Sequence, residues 1–366
     1  MAKVRDIAEY LESAAPAAYQ ESYDNTGLLI GNPESTVTGI LTTLDCTEEV
    51  VEEAIRKGCN LIVSHHPLIF KGLKRLTGKT YVERTAIMAI KNDISIYAIH
   101  TNLDNIYRGV NHKIGDKLGL VGMKTLAPKK NVLSKLTVFV PVEDTAKVLD
   151  ALYAAGAGNI GNYQNCSFRA LGTGTFMPNE QANPHIGENL KQEEVNENRV
   201  EVIFPTHLER RVLKAMKAAH PYEEAAYYLH ILENEDQETG SGLIGDLPVA
   251  MDAMSFLRKL KEVFNLKVVR YTESRAKTVK RIAVCGGSGG FLLPAAIAQG
   301  ADALVTADFK YHEFFDSEGK IIIADIGHYE SEYFTKELIH EILNKKFTNI
   351  ATEISEINTN PVRYLL

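Results

Sequence analysis

Cysteine is scarce, basic residues are not in excess and no long apolar run occurs, and each shortage closes off a class of protein. The four cysteines of the 366-residue chain, Cys46, Cys59, Cys166 and Cys285, lie far apart with no CxxC pair. That spacing argues against a disulfide framework and against a cysteine-based zinc site. Reduced thiols in a cytoplasmic protein are the simplest expectation. With 40 basic residues against 47 acidic ones the net charge is −7, so duplex nucleic acid is disfavoured as a partner. No stretch approaches the ~20 apolar residues that span a bilayer. The opening MAKVRDIAEYLESAAP is an amphipathic helix pattern without the apolar core or cleavage site of a signal peptide, and no membrane association is expected.

What is present is a repeat. ILTTLDCTEEVVEEAIRKGCNLIVSHHP returns 242 positions later as IAVCGGSGGFLLPAAIAQGADALVTADFK, placing Ile282 on Ile40, Gly300 on Gly58 and Val305 on Val63. In that register Ala307 and Asp308 stand where His65 and His66 stand. A second echo at an offset of 226 sets Ala324 on Ala98. Each copy reads as strand, helix, strand, and a duplicated arrangement of that kind brings its strand ends to one edge, where ligands bind in open α/β sheets.

The pattern divides the chain in three. Residues 1–128 alternate helices with short apolar strands (38–44, 61–64 and 94–100), the signature of a mainly parallel, helix-covered sheet. Residues 129–237 read as strand 133–140, helix 143–154, strand 166–171, strand 200–204, helix 208–219 and strand 225–232, the ferredoxin-like order of one inserted α+β module of about 100 residues. Within it the polar stretch 173–198 reads as a long hairpin or loop, and the acidic ENEDQETGSG (233–242) as a linker. Residues 238–366 resume the parallel-sheet pattern, so the core is one discontinuous domain in two halves.

Metal-capable residues collect at the strand ends. His65 and His66 close an apolar strand, and because strand side chains alternate faces the two rings are expected to aim apart, an arrangement suited to two adjacent ions. Asp104 follows strand 94–100 in HTNLD. His328 and Glu332 are four residues apart at a helix start and share one face. Three imidazoles and two carboxylates without thiolate suit Zn²⁺, Fe²⁺, Mn²⁺, Co²⁺ or Ni²⁺ and do not choose among them. Two divalent ions outweigh two carboxylates, which favours an anionic substrate. The bland alternatives are a chance histidine pair and an ordinary i,i+4 surface pair. Neither HEFFD (312–316) nor HEILN (340–344) completes HExxH.

SHHP, HTNLDN, ADFKYHE, DIGHYESE and YDNTGLLIG, in that combination, resemble the NIF3 family, also described as GTP cyclohydrolase I type 2 homologs. The resemblance covers both halves and implies a dinuclear centre held by His65, His66, Asp104, His328 and Glu332, with two divalent transition ions per chain. It departs at Tyr23, where the family usually has tryptophan. The inserted module is similar to PII and CutA-like domains, with HPYEE (220–224) as local support, and the family forms hexameric rings, so a homo-oligomer is implied.

Other residues keep two readings. His100 and His312 flank the ligands and serve either as orienters or as general acid and base, or are hydrogen-bonded structural histidines. The loop GGSGG (286–290) is an anion cradle or a tight turn, the turn being favoured. Asp24 and Asn25 either support the site or form a turn. His220, Tyr222 and Glu223 bind an effector or shape a turn. The basic KGLKRLTGKT (71–80) steers phosphates or is solvated. The function expected is a metal-dependent hydrolase that uses a metal-activated water on a nucleotide or other phosphate-containing small molecule. The alternative is a metal-dependent regulatory or metabolite-binding assembly without turnover.

Overall fold

The computed structural model describes residues 1–275 and 277–365. By contacts the chain forms two units, Met1–Pro128 with Gln237–Leu366, and Lys129–Asp236.

In the first unit the repeat becomes two sheets. Strands Ile40–Thr43, Leu61–Ser64 and Ser95–Ala98 run parallel, Leu61 lying opposite both Ile40 and Ser95. Strands Thr278–Ser288, Ala303–Ala307 and Ile322–Asp325 also run parallel, Ala303 lying opposite both Ile282 and Ile322. The spacing of 242 therefore holds for the first two strands of each sheet. The third strand departs from the expected 226: Val63 faces Tyr97 whereas Val305 faces Ala324, so the counterparts lie 227 apart (324 less 97). A slip of one residue exchanges the two faces of a strand. Tyr97 and Ala324 accordingly enter the same core, and the matching of Ala98 with Ala324 is a coincidence of sequence.

Each parallel trio is bordered by further strands. Gly27–Ile30 pairs antiparallel with Ser95–Ala98, and Thr352–Ile354 pairs parallel with Ile40–Thr43. On the other sheet Arg270–Tyr271 and Asp236–Asp252 pair antiparallel, with Val121–Lys129 beyond. Every residue of Ile40–Thr43, Leu61–Ser64 and Ser95–Ala98 is buried, as expected of parallel strands covered on both faces. Residues such as Leu61, Ile62 and Val63, at full burial, each contribute roughly 1.5–3 kcal/mol of transfer free energy. One core joins side chains from both sheets to the helices Val4–Ala14, Val110–Leu118, Ala253–Val263 and Thr335–Asn344. Val4–Ala14 shows why: Val4, Ile7 and Leu11 fall on one stripe and are the residues it buries. The crossover helices of both copies stop alike, at Gly58 (φ 69°) and Gly300 (φ 70°), in the left-handed region where glycine carries no steric penalty.

In the second unit Leu133–Pro141, Thr145–Ala154, Phe168–Phe176, Glu193–Pro205, Glu209–Ala219 and Tyr227–Leu232 follow in βαββαβ order. The sheet order is Phe168–Phe176, Glu193–Pro205, Leu133–Pro141, Tyr227–Leu232, antiparallel throughout. Its core, built on Val138, Leu152, Phe204 and Met216, is its own. Of two readings of polar sequence one needs correction. The stretch 173–198 is the hairpin of its two alternatives, since Thr173–Phe176 pairs antiparallel with Glu193–Asn196 and the residues between connect them. The stretch read as a linker belongs from Asp236 onward to the 17-residue strand Asp236–Asp252. Glycine and acidic residues weaken a strand signal, but backbone pairing next to Val121–Lys129 overrides it. Gly240 fits there because a Cβ would lie 2.3 Å from the Ala127 carbonyl oxygen. Among the described residues no helix is long and apolar enough to cross a membrane.

Candidate metal centre

The site lies in the first unit, where strand ends and the turns after them converge. His65 and His66 follow Leu61–Ser64. Asp104 ends the one-turn helix Thr101–Asp104, and His328 and Glu332 bound the helix His328–Glu332. Three groups of donors close within 4.8 Å: His66, His328 and Glu332; His65, Asp104 and Glu332; and His65, His66 and His100. The first two share Glu332. The rings of His65 and His66 do not diverge as strand alternation suggests; their centroids are 5.0 Å apart. The strand ends at Ser64 and Pro67 follows, so His66 is free of strand geometry and turns toward Asp45.

Each imidazole is anchored through Nδ1 by an oxygen. His65 Nδ1 donates to the Ile99 carbonyl (2.9 Å), His66 Nδ1 to Asp45 (2.7 Å), His100 Nδ1 to Asp24 (2.8 Å) and His328 Nδ1 to Asp308 (2.6 Å). This arrangement fixes the tautomer and leaves Nε2 for the centre. Glu332 Oε2 lies 3.1 Å from both His66 Nε2 and His328 Nε2.

Charge follows from these bonds. Burial opposes a proton on His66, but Asp45 and Glu332 outweigh it and push its pKa up to about 9. For His328, Asp308 and Glu332 outweigh burial and push it up to about 11. Burial takes His65 down to about 3. Burial and the neighbouring Glu332 charge hold the Asp104 carboxyl well above its usual range, while Glu332, despite burial, is held well below by His328 and His66. Without cations, protons occupy the places between Glu332 and the two imidazoles.

The donor set fits a metal on one observation above the rest. His65 Nε2 and Asp104 Oδ1 are both buried with no hydrogen-bond partner, and they face each other at 3.5 Å. With Nδ1 donating to Ile99, His65 presents a lone pair to a carboxylate oxygen. With Asp104 ionised these are two opposed acceptors in a buried site, which is costly; a proton on Asp104, whose pKa is raised, is one relief, and a cation between the two is the other.

The backbone makes room for these side chains. A Cβ on Gly287 (φ 58°) would lie 2.5 Å from Glu332 Oε1 and 3.1 Å from His328 Cε1. The GGSGG stretch is no anion cradle, and as far as Ser288 it is the end of a strand and not a tight turn: the amides of Gly286, Gly287 and Gly289 already donate to Asn111, Ser331 and Thr306, leaving them no hydrogen for an anion. His100 sits edge-on to His65 and His66 at 5.2 Å, with Phe70 edge-on behind it at 5.7 Å. Asp24, whose carboxyl is held low by His100 and Thr101 against the effect of burial, orients it. His312 is not brought to this cluster. It is exposed on the 3-10 turn Tyr311–Ser317 and packs against Tyr311 and Phe315.

Sequence reasoning passed over Asp45 and Asp308 and left Asp24 as one of two readings. The repeat held one usable signal, because Asp308 occupies the register position of His66. In the second unit His220 shapes a turn, Nε2 donating to the Phe139 carbonyl and Nδ1 accepting from the Tyr222 amide. Lys71–Lys74 and the residues to Thr77 are exposed.

The centre opens into a cavity of about 1160 Å³ lined by aromatic side chains such as Phe70, Phe291, Tyr329 and Tyr364, and by the carboxylates Glu48, Asp308, Asp325 and Glu330. Its two arginines are already paired, Arg84 with Glu48 and Arg270 with Asp325.

The model for Duf34/NIF3 (NGG1p interacting factor 3) matches residues 2–361. The GTP cyclohydrolase 1 type 2 homolog of Halalkalibacterium halodurans is 38% identical over the whole of both chains. The homolog of the same name from Staphylococcus epidermidis is 38% identical over 99% of this chain and 100% of its own. Among solved structures, the Bacillus cereus protein related to NIF3 superposes with a TM-score of 0.87 at 38% identity, covering 99% of each chain.

Proposed function

The chain belongs to the Duf34/NIF3 family, and from that premise we propose that it is a dinuclear metal-dependent hydrolase acting on a nucleotide or other phosphate-containing small molecule. The reading is carried by the two donor groups that share Glu332, together with the opposed orphan acceptors His65 Nε2 and Asp104 Oδ1. His65, Asp104 and Glu332 would hold one divalent transition ion, and His66, His328 and Glu332 the other, from among zinc, iron, manganese, cobalt and nickel. When bound, such ions supply Lewis acidity and lower the pKa of a water toward neutrality.

The protein's own residues do the rest. Asp45 and Asp308 hold the two outer imidazoles in place. His100 is anchored at Nδ1 by Asp24, so its Nε2 is the atom that takes and returns a proton. Phe70 covers its outer edge. Because the arginines of the cavity are paired and its walls are acidic, phosphate binding depends on the cations, and turnover should vanish when they are removed. The name borne by the curated relatives supports guanine nucleotides as the first substrates to try, with hydrolytic attack at C8 of the ring. By family resemblance we place the protein in the cytoplasm as a homohexamer and read the inserted βαββαβ unit as PII/CutA-like.

A second reading, a metabolite-binding regulatory assembly without turnover, is favoured by one observation. The inserted unit has a cavity of its own, about 870 Å³, walled by Phe139, Phe176, Tyr222 and Tyr228. Metal analysis followed by incubation of the loaded protein with a nucleotide and metabolite library, products read by mass spectrometry, decides between the two. About two ions per chain and a product abolished by His65→Ala are expected. Bound metabolite with no product favours the regulator, and no metal after replete expression overturns both.

A further inference from the structure

The last residues of the chain reach the metal cavity, and they touch its ligand-bearing elements at two points. Beyond the edge strand Thr352–Ile354 the backbone is fastened to the helix Glu48–Lys57. There the buried Glu53 accepts from the Ser355 hydroxyl (2.5 Å) and the Glu356 amide (2.9 Å). Asn358 and Asn360 then each accept a hydrogen bond from the amide two residues on, which folds 358–362 into consecutive tight turns. Between them Thr359 donates to Asp45 Oδ2 (2.5 Å), and Asn360 donates to Glu330 Oε1 (3.0 Å). Asp45 orients His66, a ligand from the first half. Glu330 lies on the five-residue helix that carries His328 and Glu332, the ligands from the second half.

We propose that Thr359 and Asn360 form a clasp that sets the metal centre: adjacent positioning residues that fix a ligand element of each half relative to the other. This rests on reading the cluster as a metal centre. A carboxylate turns easily about its last torsion, so the single bond from His66 to Oδ1 leaves the plane of Asp45 undetermined. The bond from Thr359 to the other oxygen fixes that plane, and through it the direction of the imidazole. The short helix His328–Glu332 has only one turn of its own, and Asn360, 9% exposed, holds it from outside. The bonded partners are 314 residues apart in sequence on one side (Asp45, Thr359) and 30 on the other (Glu330, Asn360). The clasp therefore closes only in the folded chain.

The test uses the full chain and compares Thr359→Val, Thr359→Ser and Asn360→Ala with the parent. Zinc affinity is read by competition with a chromogenic chelator, the visible spectrum of the cobalt-loaded form reports ligand geometry, and the thermal midpoint of the metal-free form reports the fold. Removing an orienter behind a ligand typically costs 10–100-fold in affinity. Thr359→Val should therefore weaken zinc by about tenfold or more and alter the cobalt spectrum with the metal-free midpoint nearly unchanged, Thr359→Ser should restore both, and Asn360→Ala should weaken zinc likewise. Parent-like zinc affinity in both Thr359→Val and Asn360→Ala overturns the clasp while leaving the metal centre intact, and so does a loss explained by a lowered midpoint that serine does not rescue. A parent chain that binds neither zinc nor cobalt overturns the metal reading itself.

Discussion

Replacing Gly287 by alanine asks whether the centre is shaped by bare backbone as much as by its ligands. The new Cβ would lie 2.5 Å from Glu332 Oε1, whereas a carbon and an oxygen settle at about 3.3 Å or more. Glu332 would have to withdraw by roughly 0.8 Å, several times the ~0.2 Å by which metal–ligand distances vary. Glu332 is 3% exposed and held between His66 and His328, so it cannot step aside without dragging both. The residue also sits at φ 58°, where alanine carries about 1–2 kcal/mol of strain. We expect urea unfolding of the metal-free variant to show that loss, and zinc affinity to fall by about 10–100-fold. Gly300→Ala separates the two effects. Gly300 has φ 70° and nothing within 4 Å of its would-be Cβ, so alanine there should lose comparable stability and keep full affinity. Equal zinc affinity in the two variants would refute the steric argument.

Protons and cations compete for the centre. His66 and His328, with pKa values raised to about 9 and about 11, must each release a proton to bind an ion. Zinc affinity measured by competition should therefore climb by up to about two decades per pH unit between pH 7 and 9, and a flat profile would deny the proton occupancy. The linkage sign agrees: a raised folded-state pKa stabilises the metal-free fold fully below about 6.5 and is lost as pH rises through the folded values. The metal-free thermal midpoint should thus fall from pH 7 to 10, opposed only below about 6.5 by His65, whose lowered pKa of about 3 acts in the other direction. Away from the site, Glu53→Ala strands the Ser355 hydroxyl and the Glu356 amide, while the Lys57 ammonium keeps Glu356 at 3.2 Å. Urea titration should register a loss of about 2 kcal/mol, and an unchanged midpoint would mean water replaces the carboxylate.

The residues legible in the sequence are those whose chemistry is written locally. His65–His66 and the His328/Glu332 pair each follow a parallel strand, though not equivalent ones: the repeat sets Ala307 and Asp308 on His65 and His66, and His328 beyond the strand that matches Ser95–Ala98. The orienters are legible only in part, because an acid becomes an orienter through a partner far along the chain: Asp45 precedes a helix and passes for a capping residue, and Asp24 sits in an ordinary turn motif. Asp308 was within reach, occupying the place of His66 with a left-handed backbone (φ 61°) rare outside glycine. His312, near a ligand motif in sequence, is exposed against Tyr311 and Phe315, and nearness in sequence alone does not assign it a role. The strand Asp236–Asp252 was hidden because its early residues have no strand preference and depend on a neighbour more than 100 positions earlier. The third-strand register was misjudged by one because a single shared alanine outweighed the alternation of buried residues.

Synthesis order gives the clasp a temporal meaning. Translation delivers His65, His66 and Asp104 first, then the whole inserted unit, and only afterwards the segment from His328 to Asn360. Until that segment is made the polypeptide lacks Glu332, which two of the donor groups share, and the edge strand Thr352–Ile354 of the first sheet. Of the three donor groups, a polypeptide at that stage has only that of His65, His66 and His100 to offer a cation, so neither group built on Glu332 can form before the second half of the core is in place.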